Sequence, residues 1–196
     1  MPVDVCCVTS DSELEQIIAL QTANLREIVG EVEAEKEGYV TAVYTLEYMK
    51  KMNACKATVV AKAGGKVIGY VLVMTREIAV QHRLCASLVE LLKTIPVAKT
   101  SPTVLDEVSY VFCGQLCVAQ GYRGLGVAPR MYNHFYNQYH NEFNYCITDV
   151  AYDNVRSIKA HEKSGFKICA SVNHDGVGFA VVVWDWNNNS DHTDDR

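Results

Sequence analysis

The segment that most limits the possible folds is residues 108–132. There a nearly continuous apolar run, VSYVFCGQLCVA, leads directly into the glycine-rich segment GYRGLGVAPRMY. An apolar run without alternation is typical of a strand that is covered on both faces. Gly124 and Gly126 predict a turn, and Pro129 fits the first turn of a following helix. A strand, a glycine-rich turn and a helix in this order aim backbone N–H groups and the positive end of a helix dipole at one point, which attracts phosphate.

Two interpretations of this turn stay open on its own residues. The glycines allow the backbone to approach a phosphate, with Arg123 adding charge at the rim, or they only let the chain change direction. The segment is not a P-loop, because it has no Gly-Lys-Ser/Thr ending. Its position late in the chain, behind a predicted hairpin, disfavours a dinucleotide-binding fold.

The first half of the chain predicts two helices and a hairpin. Ser10 or Asp11 caps a first helix in ELEQIIALQTANLREIV, and a second short helix carries Leu46, Met49 and Met52. The segment ATVVAKAGGKVIGYVLVM contains two strands rich in Val and Ile around a Gly-Gly pair that tolerates positive φ. It therefore predicts an antiparallel hairpin.

The second half predicts strands alternating with helices. Residues 77–105 form an insertion near one face, in which RLCASLVELLKTI has the pattern of an amphipathic helix that Pro96 and Pro102 end. After the glycine-rich turn come a helix, the strand YCITDVA, a helix over 154–164 and two strands near 166–172 and 177–184. Together with the hairpin, this order predicts a mixed α/β fold around one sheet.

Composition bounds the possible partners. A chain of 196 residues with 49% hydrophobic residues suits one domain, expected over 1–186, followed by a polar, frayed tail at 187–196. The formal net charge is -5 and no basic cluster is present, so nucleic acid is not an expected partner. No apolar run is long enough to span a bilayer and no secretory signal is visible, which favours a soluble, cytoplasmic protein.

The eight cysteines predict no disulfide framework, because the chain is long and contains no C-x-x-C. Most are expected to be small buried hydrophobes with free thiols. Cys113 and Cys117 are four residues apart on one predicted strand and hence on one face. Without a nearby pair of histidines they do not make a structural zinc site, and no metal is expected.

A second element, DVAYDNVRSIKAHEKSGFK at 149–167, narrows the interpretation of the turn. Together the two elements resemble the GNAT superfamily of acyl-CoA-dependent N-acetyltransferases. There the turn has the form Gln/Arg-x-x-Gly-x-Gly/Ala, and the later strand and helix read roughly Val-x-x-x-Asn-x-x-Ala-x-x-x-Tyr-x-x-x-Gly-Phe. The positions that keep this spacing are Val150, Asn154, Ser157, His161, Gly165 and Phe166, with the core of the turn at 123–127. Two positions depart from the family pattern. Gly121 stands where the family usually has Gln or Arg, and His161 stands where it often has a tyrosine.

The resemblance implies a single domain with a central, mostly antiparallel, twisted sheet of about six to seven strands flanked by helices, with splayed central strands. It implies acetyl-CoA as co-substrate and no metal. The pyrophosphate would lie on the N–H groups of about 122–127, and the pantetheine arm would pair with the strand at 116–118 and with Asn154. The implied cofactor-binding residues are Leu116, Cys117, Val118, Tyr122, Arg123, Gly124, Leu125, Gly126, Val127, Asn154 and Ser157.

The resemblance also implies direct transfer of the acetyl group to a primary amine of a small molecule or peptide, without an acyl-enzyme. His161 is the candidate acid, which requires a raised pKa, or it is only an N–H donor. Tyr152 and Tyr110 are alternative donors. A polar helix residue with no chemical role is the remaining interpretation of His161.

No carboxylate is present in the strand at 110–118, where some family members place a glutamate. Asp149 is the nearest acidic residue by motif position and is the candidate base, unless it is a structural carboxylate at a strand end. Glu107, or a water chain to Glu35 or Glu37, is the alternative. The candidate catalytic residues are thus His161, Asp149 and Tyr152.

The absent strand glutamate and the replaced tyrosine leave room for a catalytically silent acyl-CoA-binding module. A different acyl donor is also possible, because the turn recognises CoA and not the acyl group. By analogy with the family, residues 35–49 and 77–105 wall the acceptor pocket, and their glutamates and tyrosines hint at a cationic or amphipathic amine. A monomer and a homodimer are both compatible with the sequence.

Overall fold

The computed structural model describes residues 2–187. Within this range seven strands form one sheet in the order β1-β2-β3-β4-β5-β7-β6. Neighbouring strands are antiparallel except β4 and β5, which are parallel. The strands are β1 Val3–Cys7, β2 Val59–Ala63, β3 Lys66–Met74, β4 Tyr110–Val118, β5 Tyr145–Ala151, β6 Lys167–His174 and β7 Val177–Asp185.

Helices cover both faces of the sheet. They are α1 Asp11–Ala23, α2 Arg26–Val29, α3 Glu31–Glu37, α4 Leu46–Cys55, α5 Arg76–Ala79, α6 Arg83–Leu92, α7 Val127–Tyr139 and α8 Val155–Lys163. Helices α1 and α4 pack on β3 and α6 on β6, whereas α7 crosses β1 to β4 and α8 packs on β5. Each face has its own buried apolar core, so β3 and β4 are covered on both sides.

Local signals mark the hairpin and three of the eight helix starts within residues 2–187, those of α1, α4 and α8. Ser10 caps α1, since its hydroxyl accepts from the Glu13 N–H at 3.4 Å. The hairpin of β2 and β3 turns at Gly64 and Gly65, whose φ values are 56° and 79°, as the Gly-Gly pair predicts. The short strand β1 is not predicted by any pattern, because its partner β2 lies more than fifty residues further along the chain.

The first helix is shorter than its apolar spacing suggests. It ends at Ala23, and the chain resumes as the separate helix α2 after a bridge between Leu25 and Val40. The amide of Asn24 donates to the Leu20 carbonyl at 2.7 Å, which is the acceptor that a continuing helix would use. This side-chain competition, together with the pairing of Leu25, splits the predicted segment.

The central strands β4 and β5 pair only at their beginnings, from Tyr110 with Tyr145 to Phe112 with Ile147. Beyond Phe112, β4 has no strand partner on the β5 side among the described residues. On its other edge the register with β3 skips Gly114, which makes a β-bulge.

The bulge changes which way the cysteines point. Cys113 belongs to the core beneath α7, whereas Cys117 belongs to the core beneath α1 and α4. The prediction that both lie on one face is therefore wrong. The single extra residue at the bulge reverses the alternation of side chains after Gly114.

The mixed α/β class, the mostly antiparallel sheet and the splayed central strands are confirmed. The expected boundary at Trp186 stays a prediction, because the polar tail at 187–196 lies outside the described residues except for Asn187. Between residues 2 and 187, no helix has the length and apolar character needed to cross a membrane.

Candidate active site

Two cavities meet where β4 and β5 separate. The outer cavity, of about 450 Å³, lies between the end of β4, the glycine-rich turn and α8. The inner cavity, of about 90 Å³, lies between β4, β5, α6 and the segment 39–44. Both are lined by Tyr39, Val40, Leu116, Asn154 and Ser157, so the cavities are adjacent along the gap.

The glycine-rich turn presents free backbone donors to the outer cavity. Gly124 and Gly126 have φ values of 76° and 74°, and Gly126 is the left-handed residue that begins α7. The backbone N–H groups of residues 124–128 donate to no acceptor within the described part of the chain. Pro129, in the first turn of the helix, has no N–H to offer. The turn thus combines free N–H groups with the N-terminus of a thirteen-residue helix.

The predicted cradle at 122–127 begins later than expected. The Tyr122 N–H donates to Ala119 at 2.9 Å and the Arg123 N–H donates to Gln120 at 3.3 Å. These bonds close a short 3₁₀ turn between β4 and the glycines, so neither donor is available to a ligand. The backbone N–H groups that are available to a ligand are therefore those of residues 124–128. The Leu125 side chain is 68% exposed and lines neither cavity.

Arg123 is not a free charge at the rim, contrary to the expectation. Its guanidinium donates to the Val118 carbonyl at 2.9 Å, to the Glu37 carbonyl at 3.2 Å and to the Asn24 side chain. The side chain is only 11% exposed. The motif arginine therefore fixes the turn to the end of β4 and to the segment after α1, and its charge faces inward.

The other positive charges that line the outer cavity come from α8. Arg156, Lys159 and Lys163 line the outer cavity, and their spacing of three and four residues places them on one helix face. Arg156 lies 3.5 Å from the Glu37 carboxylate, while Lys159 and Lys163 form no ion pair with any described residue. Free N–H groups on one wall and cations on another suit a ligand with several phosphate charges.

Asn154 links the two cavities but uses both ends of its amide within the protein. Its oxygen caps α8 by accepting from the Ser157 N–H at 3.3 Å, and its nitrogen donates to the Tyr39 carbonyl at 2.9 Å. Gly38 makes this possible, since a Cβ there would lie 2.9 Å from the Asn154 oxygen. The motif asparagine is thus a helix cap and a tether, and one lone pair of its oxygen stays available.

His161 lies at the inner cavity, fully buried among Tyr132, Phe166 and α8. Its Nδ1–H donates to the Ser157 carbonyl at 2.8 Å. Burial lowers the pKa of His161 to about 4, so the ring is neutral at physiological pH. An acid role needed a raised pKa, and the structure gives the opposite. A neutral ring that already donates through Nδ1 has no second N–H to give.

Asp149 reaches the inner cavity from β5 and meets a partner that the sequence did not indicate. His174, at the end of β6, donates from Nε2 to one Asp149 oxygen at 2.8 Å. The other ring nitrogen lies 3.3 Å from the Ser87 hydroxyl on α6. The second Asp149 oxygen has no hydrogen-bond partner among the described residues. No local motif marks His174, because it reaches Asp149 only through the pairing of β5, β7 and β6.

Tyr44 is a second residue that the motifs missed. Its hydroxyl donates to the Gly114 carbonyl at the bulge over 3.1 Å, and burial raises its pKa well above the usual range. Gln21 of α1 holds its backbone with two hydrogen bonds of 3.0 Å. Tyr44 thus fixes one wall of the inner cavity against the bulge.

The alternative donors and bases are not brought to the gap. Tyr152 is 44% exposed, with its hydroxyl 2.5 Å from Ser171, and it lines neither cavity. Tyr110 donates to Asp106 at 3.2 Å and also lines neither. Of the three glutamates considered, Glu37 alone lines a cavity, the outer one; Glu35 and Glu107 line neither.

The cysteines near the gap are protonated thiols. Burial raises the pKa of Cys113 to about 12 and those of Cys85 and Cys117 to about 11. A thiol in this state is a poor nucleophile and a poor metal ligand. Among the described residues, no group of three or more His, Cys, Asp or Glu side chains is arranged to hold a metal ion.

Comparison with known proteins identifies the family. The model of the acetyltransferase (GNAT) family matches residues 22–166, which is most of the chain and includes both motif elements. The chain belongs to the GNAT acetyltransferase family. Members of the family use acyl-CoA, in agreement with the resemblance carried by the turn and by α8. No curated protein sequence gives a significant match.

Solved structures of acetyltransferases share the fold. A GNAT-family acetyltransferase from Streptococcus agalactiae is 18% identical, with a TM-score of 0.64 over 93% of this chain and 95% of that chain. The NatC complex bound to Gag peptide and CoA is 12% identical, with a TM-score of 0.62 over 94% of this chain and 99% of that chain. A ribosomal-protein-alanine N-acetyltransferase from Brucella melitensis is 14% identical, with a TM-score of 0.59 over 93% of this chain and 99% of that chain. At these identities the likeness concerns the fold.

Proposed function

We propose that this protein is an N-acetyltransferase that transfers an acetyl group from acetyl-CoA directly to a primary amine of a small molecule or peptide. The observation that carries the proposal is the meeting of two unlike cavities at the gap between β4 and β5. The outer cavity offers free N–H groups and cations, and the inner cavity offers one carboxylate with an unpaired oxygen. An anionic donor and an amine acceptor would therefore approach each other from opposite sides of the gap.

Coenzyme A fits the outer cavity in three respects. The N–H groups of 124–128 would hold the pyrophosphate, and Arg156, Lys159 and Lys163 would balance its charge. The unpaired edge of β4 at 116–118 would form hydrogen bonds with the pantetheine arm, as in a sheet, although Arg123 already occupies the Val118 carbonyl. The arm would then pass Asn154 and Ser157, which line both cavities.

The chain's own residues supply the proton transfer. When bound, acetyl-CoA would supply an activated acetyl thioester, whose C–S bond breaks as the amide C–N bond forms, so that CoA would leave as a thiolate and take up a proton from solvent. An alkylammonium loses its proton before the nitrogen can attack, because its unperturbed pKa is about 10. The free oxygen of Asp149 is the base that faces the inner cavity, and His174 holds that carboxylate in place. His161 then contributes shape and a fixed hydrogen bond to α8, and Tyr152 takes no part.

Two assays test this function together. Calorimetric titration measures CoA binding, and a thiol-release assay measures amine-dependent CoA production over a broad amine panel. We expect binding and turnover. Binding without turnover of any amine would identify a catalytically silent acyl-CoA-binding module instead, and no binding would reject both. Acetyl-, propionyl- and succinyl-CoA compared in the same assay decide the donor.

His161→Ala separates the roles assigned to this histidine. A fixed structural role predicts that the variant loses thermal stability and activity together. A specific loss of turnover, with CoA affinity and melting temperature unchanged, would restore His161 as a reacting group. The cytoplasmic location and the choice between monomer and homodimer stay predictions.

A further inference from the structure

We propose that the acceptor is a primary amine on a short, acyclic, apolar stem that carries no second charge. The inference rests on the proposed function, and it comes from the inner cavity. It concerns which amine is accepted, whereas the transfer reaction itself would allow any amine that reaches the thioester.

One carboxylate faces an apolar wall in this cavity. Asp149 is the only Asp or Glu among the described lining residues, and no Lys or Arg lines the cavity. The wall opposite is built by five side chains from four elements, namely Met74, Leu84, Leu88, Phe112 and Phe179. A single ammonium therefore finds one counter-charge, and a second ammonium further along the molecule finds none.

Two polar side chains of the cavity wall already have partners within the protein. Gln115 accepts from the Tyr70 hydroxyl at 2.6 Å and donates to the Ala42 carbonyl at 2.8 Å. Tyr44 donates to the Gly114 carbonyl. A second ammonium of a polycationic acceptor would lose its water beside these committed partners without gaining a carboxylate, which costs free energy. The cavity therefore selects against such acceptors.

The free Asp149 oxygen lies near the junction of the two cavities. Continuing the parallel register of Tyr110 with Tyr145 brings Gly114 level with Asp149 across the gap. Leu116, which lines both cavities, is two residues further on. An amine held by Asp149 is thus directly beside the point where the two cavities join. His174, held by Ser87, is the positioning residue that keeps the carboxylate turned towards it.

The volume limits the stem. The inner cavity, of about 90 Å³, is smaller than the roughly 150 Å³ apolar cavity that accepts a benzene molecule. A cavity of this volume takes the nitrogen and a short carbon chain but not a six-membered ring. This size, together with the single carboxylate, defines the proposed substrate class.

The decisive comparison uses two amines that differ by one charge. n-Butylamine and putrescine have the same four-carbon chain, and putrescine adds a second ammonium at its far end. We expect kcat/KM for n-butylamine to exceed that for putrescine by at least about tenfold, because the second ammonium would lose its water against an apolar wall. Benzylamine, whose ring exceeds the volume of the inner cavity, tests the size limit and should be a poor acceptor.

A variant ties the preference to the cavity wall. Leu84→Ala enlarges the cavity and should improve kcat/KM for benzylamine at least about fivefold relative to n-butylamine. Leu91→Ala is the matched control, since Leu91 lies on the same helix and is partly buried but does not line the cavity. The control variant should leave the ratio of these two kcat/KM values unchanged.

The outcomes separate this inference from the function beneath it. Turnover that favours putrescine, spermidine or a lysine-containing peptide over n-butylamine by tenfold would overturn the substrate class and leave the N-acetyltransferase standing. An unchanged ratio in Leu84→Ala would overturn the assignment to this cavity. CoA binding without turnover of any amine would overturn the proposed function itself.

Discussion

The two cavities on either side of the β4–β5 gap are built in opposite ways. The outer cavity takes most of its wall from two continuous segments, the turn after β4 and helix α8, and its anion-binding groups include backbone donors. The inner cavity takes its wall from more segments, namely β3 to β7, α6, α8 and residues 39–44. Backbone donors at a helix N-terminus survive many side-chain changes, whereas a wall of separate side chains changes with each of them. We therefore expect the outer cavity to set the kind of donor and the inner cavity to set the acceptor.

We expect the largest effect from a substitution that disables the inner cavity alone. Asp149→Asn removes the proton acceptor but keeps the size of the side chain, so we expect kcat to fall by about a hundredfold or more. Calorimetric CoA affinity should stay within about twofold, because Asp149 does not line the outer cavity. Equal losses of turnover and CoA affinity would show that the two cavities are not separable.

A second test separates structure from chemistry at His161. Its folded pKa, about 4, lies below the unfolded value near 6.5, so the unfolded chain binds the extra proton first. The neutral, buried ring therefore contributes about 3 kcal/mol to the free energy of unfolding above pH 6.5, and this contribution is lost as the pH falls towards 4.

Urea unfolding of wild type and His161→Gln between pH 7 and pH 4.5 measures this contribution. Carboxylates common to both proteins cancel in the difference. The wild type should lose more stability on acidification than the variant. Parallel curves would mean that the imidazole is not buried in its neutral form.

A third test breaks the outer cavity alone. Gly124→Val puts a side chain into space that no described atom occupies, where the phosphate would lie, and we expect CoA affinity to fall at least about tenfold. Gly65→Val is the matched control, since Gly65 also has a positive φ and open space around its Cβ but lies in the β2–β3 hairpin. Each variant carries backbone strain of about 1–2 kcal/mol. Equal CoA affinities in the two variants would assign the turn a purely conformational role.

The smallest expected effects come from the cations of α8. Lys159→Ala and Lys163→Ala should each weaken CoA binding by about two- to fivefold, because exposed charges act through water. Raising the salt concentration should shrink the difference. Lys66→Ala, an exposed lysine in the hairpin, serves as the control. A salt-independent loss would point to a direct steric role for these side chains.

The outer cavity could be predicted almost entirely from the sequence, and the inner one could not. Its glycines, Asn154 and Ser157 occur in two contiguous motifs, and ten of the eleven predicted cofactor-binding residues line it. The exception is Leu125, whose side chain faces solvent. The motif spacing did not reveal that Arg123 turns inward or that the Tyr122 N–H is already used, because both depend on partners from outside the motif.

The inner cavity depends on contacts between distant segments. Asp149 was a candidate by position, but its partner His174 follows 25 residues later and reaches it through two antiparallel pairings. His161 matched the motif, yet only its burial shows that the ring is neutral. Tyr152 also lay close to the motif, and only the direction of its side chain over β6 excludes it from the gap.

The sequence by itself determined the family, the alternation of strands and helices, and the turn that presents backbone donors. These follow from apolar periodicity, glycine at positive φ and motif spacing, which act over a few neighbouring residues. Only the tertiary structure decided where β4 and β5 separate, which face Cys113 and Cys117 take after the bulge, and which carboxylate meets the gap. Those outcomes depend on strand register and side-chain burial, which are set by packing between segments far apart in the chain.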